Sequence, residues 1–413
     1  MKVYEQIWFE DIEQFLICSR RYYMEQKEHK EKHAVISEQE TREMMKLGFS
    51  VERPVVSTEL FGLNLVSGPH VVVPDGDKWK IILKKSAKTF KNKYLMEAAF
   101  HGYIFSSVGF IISQVVIDSP YFTKQVDWRD GLSRLFGLIE NLAELKMHDL
   151  PDPKPVSQCK TCPHVLECTD VLVKKQDLLA VHGLNEKTRI KLIEEGVNNL
   201  STIVQSEKLN QISTESFEKL KKKAISLLQK REIVLSDYQE LGDGVFLDIE
   251  SHTNKDFDYL FGILVEDKYT PFLCENEEQE YKTFTDVLSF LDQTNGAIYH
   301  YCAYEPSRFS SLSEKWPDLK PMVAKIRKRF VDIYQILSKH VALPLFTYSL
   351  KSVARLYGFS WRTDLDGLRA SRYFQLWLST HDGSYLKTVL DYNEDDTRAT
   401  KLVWERLNSL RNN

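Results

Sequence analysis

The sequence predicts a multidomain α/β chain, and three observations carry that reading. With 413 residues, 43% of them hydrophobic, the chain can bury two or three cores. Short apolar runs of strand length, bounded by Gly, Pro, Asn and Asp, occur in the first and last thirds. Between them lies a stretch of helical periodicity punctuated by Gly183 and Gly196, with no strand signal. The expected division is residues 1–175, an α/β domain; 176–235, a helical connector; and 236–413, a second α/β domain.

In the first domain, Val66-Ser67-Gly68-Pro69-His70-Val71-Val72-Val73 reads as a strand entering a turn at Pro74-Asp75-Gly76-Asp77. Trp79 to Ser86 leaves that turn, which makes a hairpin. A helix follows through Ala98-Ala99-Phe100-His101-Gly102-Tyr103. The six cysteines do not form a disulfide framework, since they are sparse in a large chain. Cys159 and Cys162, then Cys168, give C-x2-C-x5-C after the loop-like Pro151-Asp152-Pro153-Lys154-Pro155, and Cys18 offers a fourth thiolate from the other end of the domain. Four thiolates suit either a 4Fe-4S cluster or zinc. Cys274 and Cys302 lie in strand-like apolar runs and read as buried thiols.

One early cysteine and three late ones resemble the iron-sulfur clasp of RecB-family nucleases. The resemblance implies a restriction-endonuclease-like core with Cys18, Cys159, Cys162 and Cys168 as cluster ligands. Its catalytic pattern is poorly kept: His70 stands where that family has a metal-binding Asp, Leu83 where it has Asp or Glu, and His101 where it has Gln, while Lys85 fits. A leucine cannot ligate a hard cation. The expectation is a catalytically degraded nuclease fold kept as a nucleic-acid platform, with Lys85 among its contacts. Glu97 is a candidate migrated acid, and His33, a candidate for the family's early histidine, reads more simply as helix surface.

The connector opens with Leu178 to Gly183, continues through an amphipathic segment to Gly196, and starts a new helix near Leu200. It resembles a helix-hairpin-helix module, in which backbone N–H groups at a helix N-terminus meet phosphate without reading sequence. Gly183 and Lys187 are the positions this resemblance nominates. The lysine- and glutamate-rich residues 206–232 complete the connector as a further helix.

In the last domain, Phe246-Leu247-Asp248-Ile249-Glu250 places two acids two residues apart on one face of a strand. Tyr392-Asn393-Glu394-Asp395-Asp396 places Tyr392 and Asp396 four apart on one face of a helix. Between them, His300-Tyr301-Cys302-Ala303-Tyr304-Glu305 follows the apolar run from Ala297. Gathered carboxylates repel one another unless a cation neutralises them, and oxygen-only donors suit magnesium or manganese.

The order of these motifs resembles the DnaQ-like exonucleases of the ribonuclease H superfamily, which implies a mixed sheet flanked by helices. It also implies Asp248, Glu250, Glu305 and Asp396 as ligands of two Mg or Mn ions. Tyr392 would orient the attacking water or take its proton. Here Tyr304-Glu305 replaces the commoner Phe-Asp of the second motif, and Glu is one methylene longer. The aromatic residues Tyr304, Phe309, Tyr348, Trp361, Tyr373 and Trp377 read mostly as core, with one or two available to stack on an unpaired base.

A net charge of −4 gives no global attraction to nucleic acid, so phosphate binding must come from local basic runs such as 80–93, 219–231 and 325–329. No run approaches ~18 uninterrupted apolar residues, so no membrane partner is expected, and the N-terminus lacks a signal-peptide core. The expected location is the cytoplasm. The function these readings imply is a metal-dependent 3'-5' exonuclease acting on nucleic acid, with single-stranded DNA the expected substrate. The alternatives are an active N-terminal nuclease and a non-catalytic DNA-binding or assembly protein.

Overall fold

The computed structural model describes residues 6–25, 37–145, 150–253 and 255–411. The chain divides into two compact units, Met1–Val156 and Ser157–Asn413. His33 lies outside the described residues.

In the N-terminal unit, a three-stranded sheet is formed by Gln6–Ile7, Leu63–Ser67 and Val56–Leu60 in that order. A five-stranded sheet runs in the order Val51–Glu52, Val71–Asp75, Lys78–Lys84, Ile112–Ser119, Phe122–Val126. The expected hairpin is present: Asp75 pairs with Lys78 across a two-residue loop, and Gly76 takes φ +67, a conformation that costs glycine little. The helix Lys93–Ser107 is apolar on several faces and is accordingly buried, from Tyr94 through Phe105.

The cysteine segment belongs with the connector. Residues 157–175, grouped by sequence with the first domain, fall in the C-terminal unit because Val165 and Leu172 share a core with Leu178, Leu192, Leu200, Ile203 and Phe217. Cys159 lies in the short turn Ser157–Lys160, Cys162 just after it, and Cys168 in the helix Val165–Lys174. In the connector, Asn185 caps the helix Glu186–Glu194 by accepting from Thr188 N–H, and Gly183 and Gly196 take φ +78 and +80. Asn199 caps Leu200–Gln205, and Thr214–Gln229 is the longer helix expected near 206–232.

The remainder is a mixed five-stranded sheet flanked by helices. Its strands are β1 (Gly244–Ser251), β2 (Asp258–Val265), β3 (Lys268–Leu273), β4 (Ala297–His300) and β5 (Phe330–Asp332), in the spatial order β3-β2-β1-β4-β5. Strands β1, β2 and β3 pair antiparallel, whereas β1–β4 and β4–β5 are parallel. The helices are α1 (Glu280–Gln293), α2 (Tyr304–Lys315), α3 (Lys320–Arg327), α4 (Ile333–His340), α5 (Leu350–Leu356), α6 (Gly367–Thr380) and α7 (Gly383–Arg411).

Alternation along β1 explains how the sheet is covered. Val245, Leu247 and Ile249 pack on one face with Phe284, Val287 and Leu291 of α1 and with Ile326 of α3. Phe246 points the other way, into a core with Val403 and Leu407 of α7. Period-two geometry then aims Asp248 and Glu250 at the α7 side as well.

Candidate active site

Pairing between β1 and β4 covers only Gly244 to Phe246, so β1 runs on past the end of its parallel neighbour. Beyond His300 the chain turns through Cys302, held at φ +69, and enters α2 at Tyr304. This break at the carboxyl end of β4 opens a cavity of about 460 Å³. It is lined by Asp248, Glu250, Glu305, Tyr392 and Asp396, with Tyr304 at its exposed mouth. All five residues nominated by the motifs meet there.

One oxygen from each of Asp248, Glu250 and Asp396 lies within 4.8 Å of the others. Glu305, on the first turn of α2, lines the same cavity but stands outside that triad among the described residues. Its Oε2 is buried with no hydrogen-bond partner among the described residues, the nearest ring nitrogen being His300 Nδ1 at 3.6 Å. His300 Nδ1 is already engaged with the Cys302 carbonyl at 2.6 Å.

Burial and mutual repulsion dominate the electrostatics. Asp248 is held well above the usual carboxylate range by burial, then by the charges of Asp396, Glu250 and Glu305. Glu250 is raised by burial and by Asp396, with Lys351 opposing. Burial pushes Glu305 up to about 8, and nearby Asp332 and Asp396 add to it. Asp396 rises to about 6 through burial, restrained by Lys351 and by hydrogen bonds from Trp361 and Tyr392. The Tyr392 phenol is raised by burial and by the surrounding acids, so it stays protonated as a donor. In the cation-free protein Tyr392 is therefore a proton donor.

This donor set fits a hard divalent cation. All its ligand atoms are oxygen, one carboxylate oxygen is orphaned, and the buried carboxylates repel each other in the absence of a counter-charge.

A second layer orients the acids, and sequence reasoning assigned none of it. Asn393 Nδ2 donates to Asp248 Oδ2 at 2.6 Å, and the Tyr269 hydroxyl donates to Asn393 Oδ1 at 2.7 Å. Trp361 Nε1 donates to Asp396 Oδ1 at 2.7 Å. Gly262, opposite Asp248 in the β1–β2 register, makes room for this arrangement: a Cβ there would stand 1.7 Å from Asn393 Oδ1. A glycine inside the apolar run from Tyr259 to Val265 was the available signal, since strand-interior glycine marks close approach of another group.

The other nominated residues lie elsewhere. Lys85 sits just past its strand and forms an ion pair with Glu97 at 2.5 Å. Leu83 is fully buried, and His101, buried and pushed down to about 3, hydrogen bonds with Ser67. This polar cluster therefore consists of a closed ion pair and a neutral imidazole. Lys187 is exposed on the first turn of Glu186–Glu194, and Lys223 Nζ donates to the His182 carbonyl beside Gly183 at 2.9 Å. Cys274 is buried as expected, and Cys302 is half-buried at the turn into α2.

No helix among the described residues is long and apolar enough to cross a membrane. No protein of curated function shows significant similarity to the chain. Among solved structures, SSO0001 is 14% identical, with a TM-score of 0.26, over 42% of this chain and 89% of its own. A protein from Eubacterium rectale named as a candidate exonuclease is 11% identical, with a TM-score of 0.20, over 37% of this chain and 78% of its own. The model of the RNase_H superfamily matches residues 245–408, and the C-terminal region of this chain is accordingly a ribonuclease H-like domain.

Proposed function

We propose that the C-terminal unit is a divalent-cation-dependent nuclease that removes nucleotides from the 3' end of a single-stranded nucleic acid, with DNA as the expected substrate. The observation that carries this reading is the convergence of Asp248, Glu250, Glu305 and Asp396 on one cavity of a ribonuclease H-like domain. These four side chains would hold two magnesium or manganese ions. When bound, the ions supply Lewis-acid stabilisation of phosphate charge and acidify water.

The protein's own groups perform the positioning. Asn393 fixes the rotamer of Asp248, and Trp361 fixes that of Asp396. The buried Tyr392 phenol donates its single proton to Asp396 and so helps hold that carboxylate in place. Tyr304, 46% exposed at the mouth, offers a ring face to an unpaired base, and its hydroxyl is anchored on Ser251 at 2.6 Å.

Purified protein incubated with 5'-labelled and 3'-labelled single strands, with magnesium, with manganese and with chelator, tests both cleavage and direction. Stepwise shortening from the 3' end that needs the cation and disappears in Asp248→Asn supports the reading. Cleavage that survives Asp248→Asn but fails in Lys85→Ala moves the chemistry to the N-terminal unit. Binding without cleavage makes the chain a non-catalytic nucleic-acid protein.

A second proposal rests on the cysteine pattern alone: Cys18, Cys159, Cys162 and Cys168 ligate a 4Fe-4S cluster, with zinc as the alternative. Iron, sulfide and zinc analysis of anaerobically purified protein distinguishes these. The RecB-like reading of the N-terminal unit as a catalytically degraded nucleic-acid platform remains a proposal of the same kind.

A further inference from the structure

Lys351 is a buried cation that the four-acid reading leaves without a role. It lies on the second residue of α5, 9% exposed, and its ammonium donates to the Leu365 carbonyl. It sits 5.0 Å from the centre of the Tyr392 ring and 5.7 Å from that of Trp361. Among the described residues it makes no ion pair; the two rings lie against it instead. Those same rings hydrogen bond to Asp396. The ammonium thus stands one layer behind the acids. An ammonium in such a place costs several kcal/mol of lost hydration unless nearby opposite charges compensate it.

Charge balance gives it a purpose. Four ionised carboxylates and two divalent cations cancel, and an incoming phosphodiester then brings one uncompensated negative charge. Lys351 supplies the matching positive charge in a fixed position, and before cations arrive it offsets part of the repulsion among the acids. We propose that Lys351 is a positioning residue whose fixed charge, set behind Tyr392 and Asp396, holds the acid pocket assembled in the cation-free protein and weakens its grip on divalent cations in exchange for phosphate. This inference rests on the two-cation reading above.

The test is Mn²⁺ binding by the full chain at pH 8, followed by the paramagnetic signal of free Mn²⁺ and by calorimetry, for wild type, Lys351→Met and Lys351→Arg. Circular dichroism checks the fold of each. Removing a nearby positive charge should tighten Mn²⁺ binding roughly five-fold in Lys351→Met while lowering the melting temperature of the cation-free protein. Lys351→Arg, which keeps the charge, should bind Mn²⁺ as wild type does even if its contact with Leu365 changes. A merely structural lysine would give weaker or unchanged binding in Lys351→Met, and that result overturns the inference, as does tightening in Lys351→Arg. Should wild type bind no Mn²⁺ at all, the cation reading itself fails, and this outcome is separate from failure of the lysine's role.

Discussion

The amide of Asn393 donates to Asp248 at 2.6 Å from a helix turn that can come so close only because Gly262 lies across the strand from Asp248. The carboxylate is thus held by a residue from the far end of the domain, and the space for that residue is made on the neighbouring strand. Gly262→Ala would drive a methyl into Asn393 and separate α7 from the sheet. We expect it to destabilise the protein by about 2 kcal/mol, within the range of overpacked cores. Cation binding should fall as well. Thermal unfolding with and without magnesium reads both effects, and an unaltered melting temperature would contradict the geometry.

Trp361 tests the same principle at Asp396. Its indole N–H donates at 2.7 Å, and its ring also lies beside Lys351. Trp361→Phe keeps a ring and loses only the donor side. Partners that orient metal ligands are typically worth 10–100-fold in affinity or activity. The expected outcome is a roughly ten-fold loss of cleavage rate with little change in secondary structure. Single-turnover cleavage measured across a magnesium titration separates a lower cation affinity from a slower step.

Direct loss of a ligand should cost more. Asp396→Asn removes the charge from the residue that contributes to the raised state of Asp248, Glu250 and Glu305 alike. Cleavage should fall more than about 100-fold, beyond the span of the orienting partners. The folded state should survive, because the variant relieves repulsion in the cation-free pocket. A variant that cleaves within a few-fold of wild type would remove Asp396 from the chemistry.

What the sequence makes legible is local. Asp248 and Glu250 sit two apart in an apolar run, and strand periodicity alone puts them on one face; Tyr392 and Asp396 are four apart, and helix periodicity does the same. Glu305 is legible only through the order of motifs resembling a known family, because its place at a helix start after a strand end has a weak local signature. Asn393 lies between Tyr392 and Asp396, but nothing local points to its role, since its partner Asp248 is 145 residues away. Lys351 and Trp361 depend on the path of the chain between β5 and α7, which no periodicity specifies. The side of the linker on which residues 157–175 fall is hidden for a similar reason. Proline-rich 151–155 marks a linker, but only packing of Val165 and Leu172 on the connector core shows on which side the cysteine helix falls.

The acid pocket also predicts how stability responds to pH. Glu305 moves from an ordinary value of 4.5 in the unfolded chain to about 8 when folded without cations. Between those values the folded state holds a proton that the unfolded state has released. Stability from this group is therefore present below about pH 4.5 and is lost as pH rises toward 8. Glu305→Gln cannot lose that proton. In chelator, the variant should match wild type near pH 4.5 and melt higher at pH 8, by roughly 5 °C for a domain of this size. Saturating magnesium should reverse the order, because the cation stabilises the folded wild type by binding it and finds one ligand fewer in the variant. Melting curves at the two pH values, each with chelator and with magnesium, give four comparisons. If the variant melts lower in all four, Glu305 is a structural acid rather than a strained ligand awaiting its counter-charge.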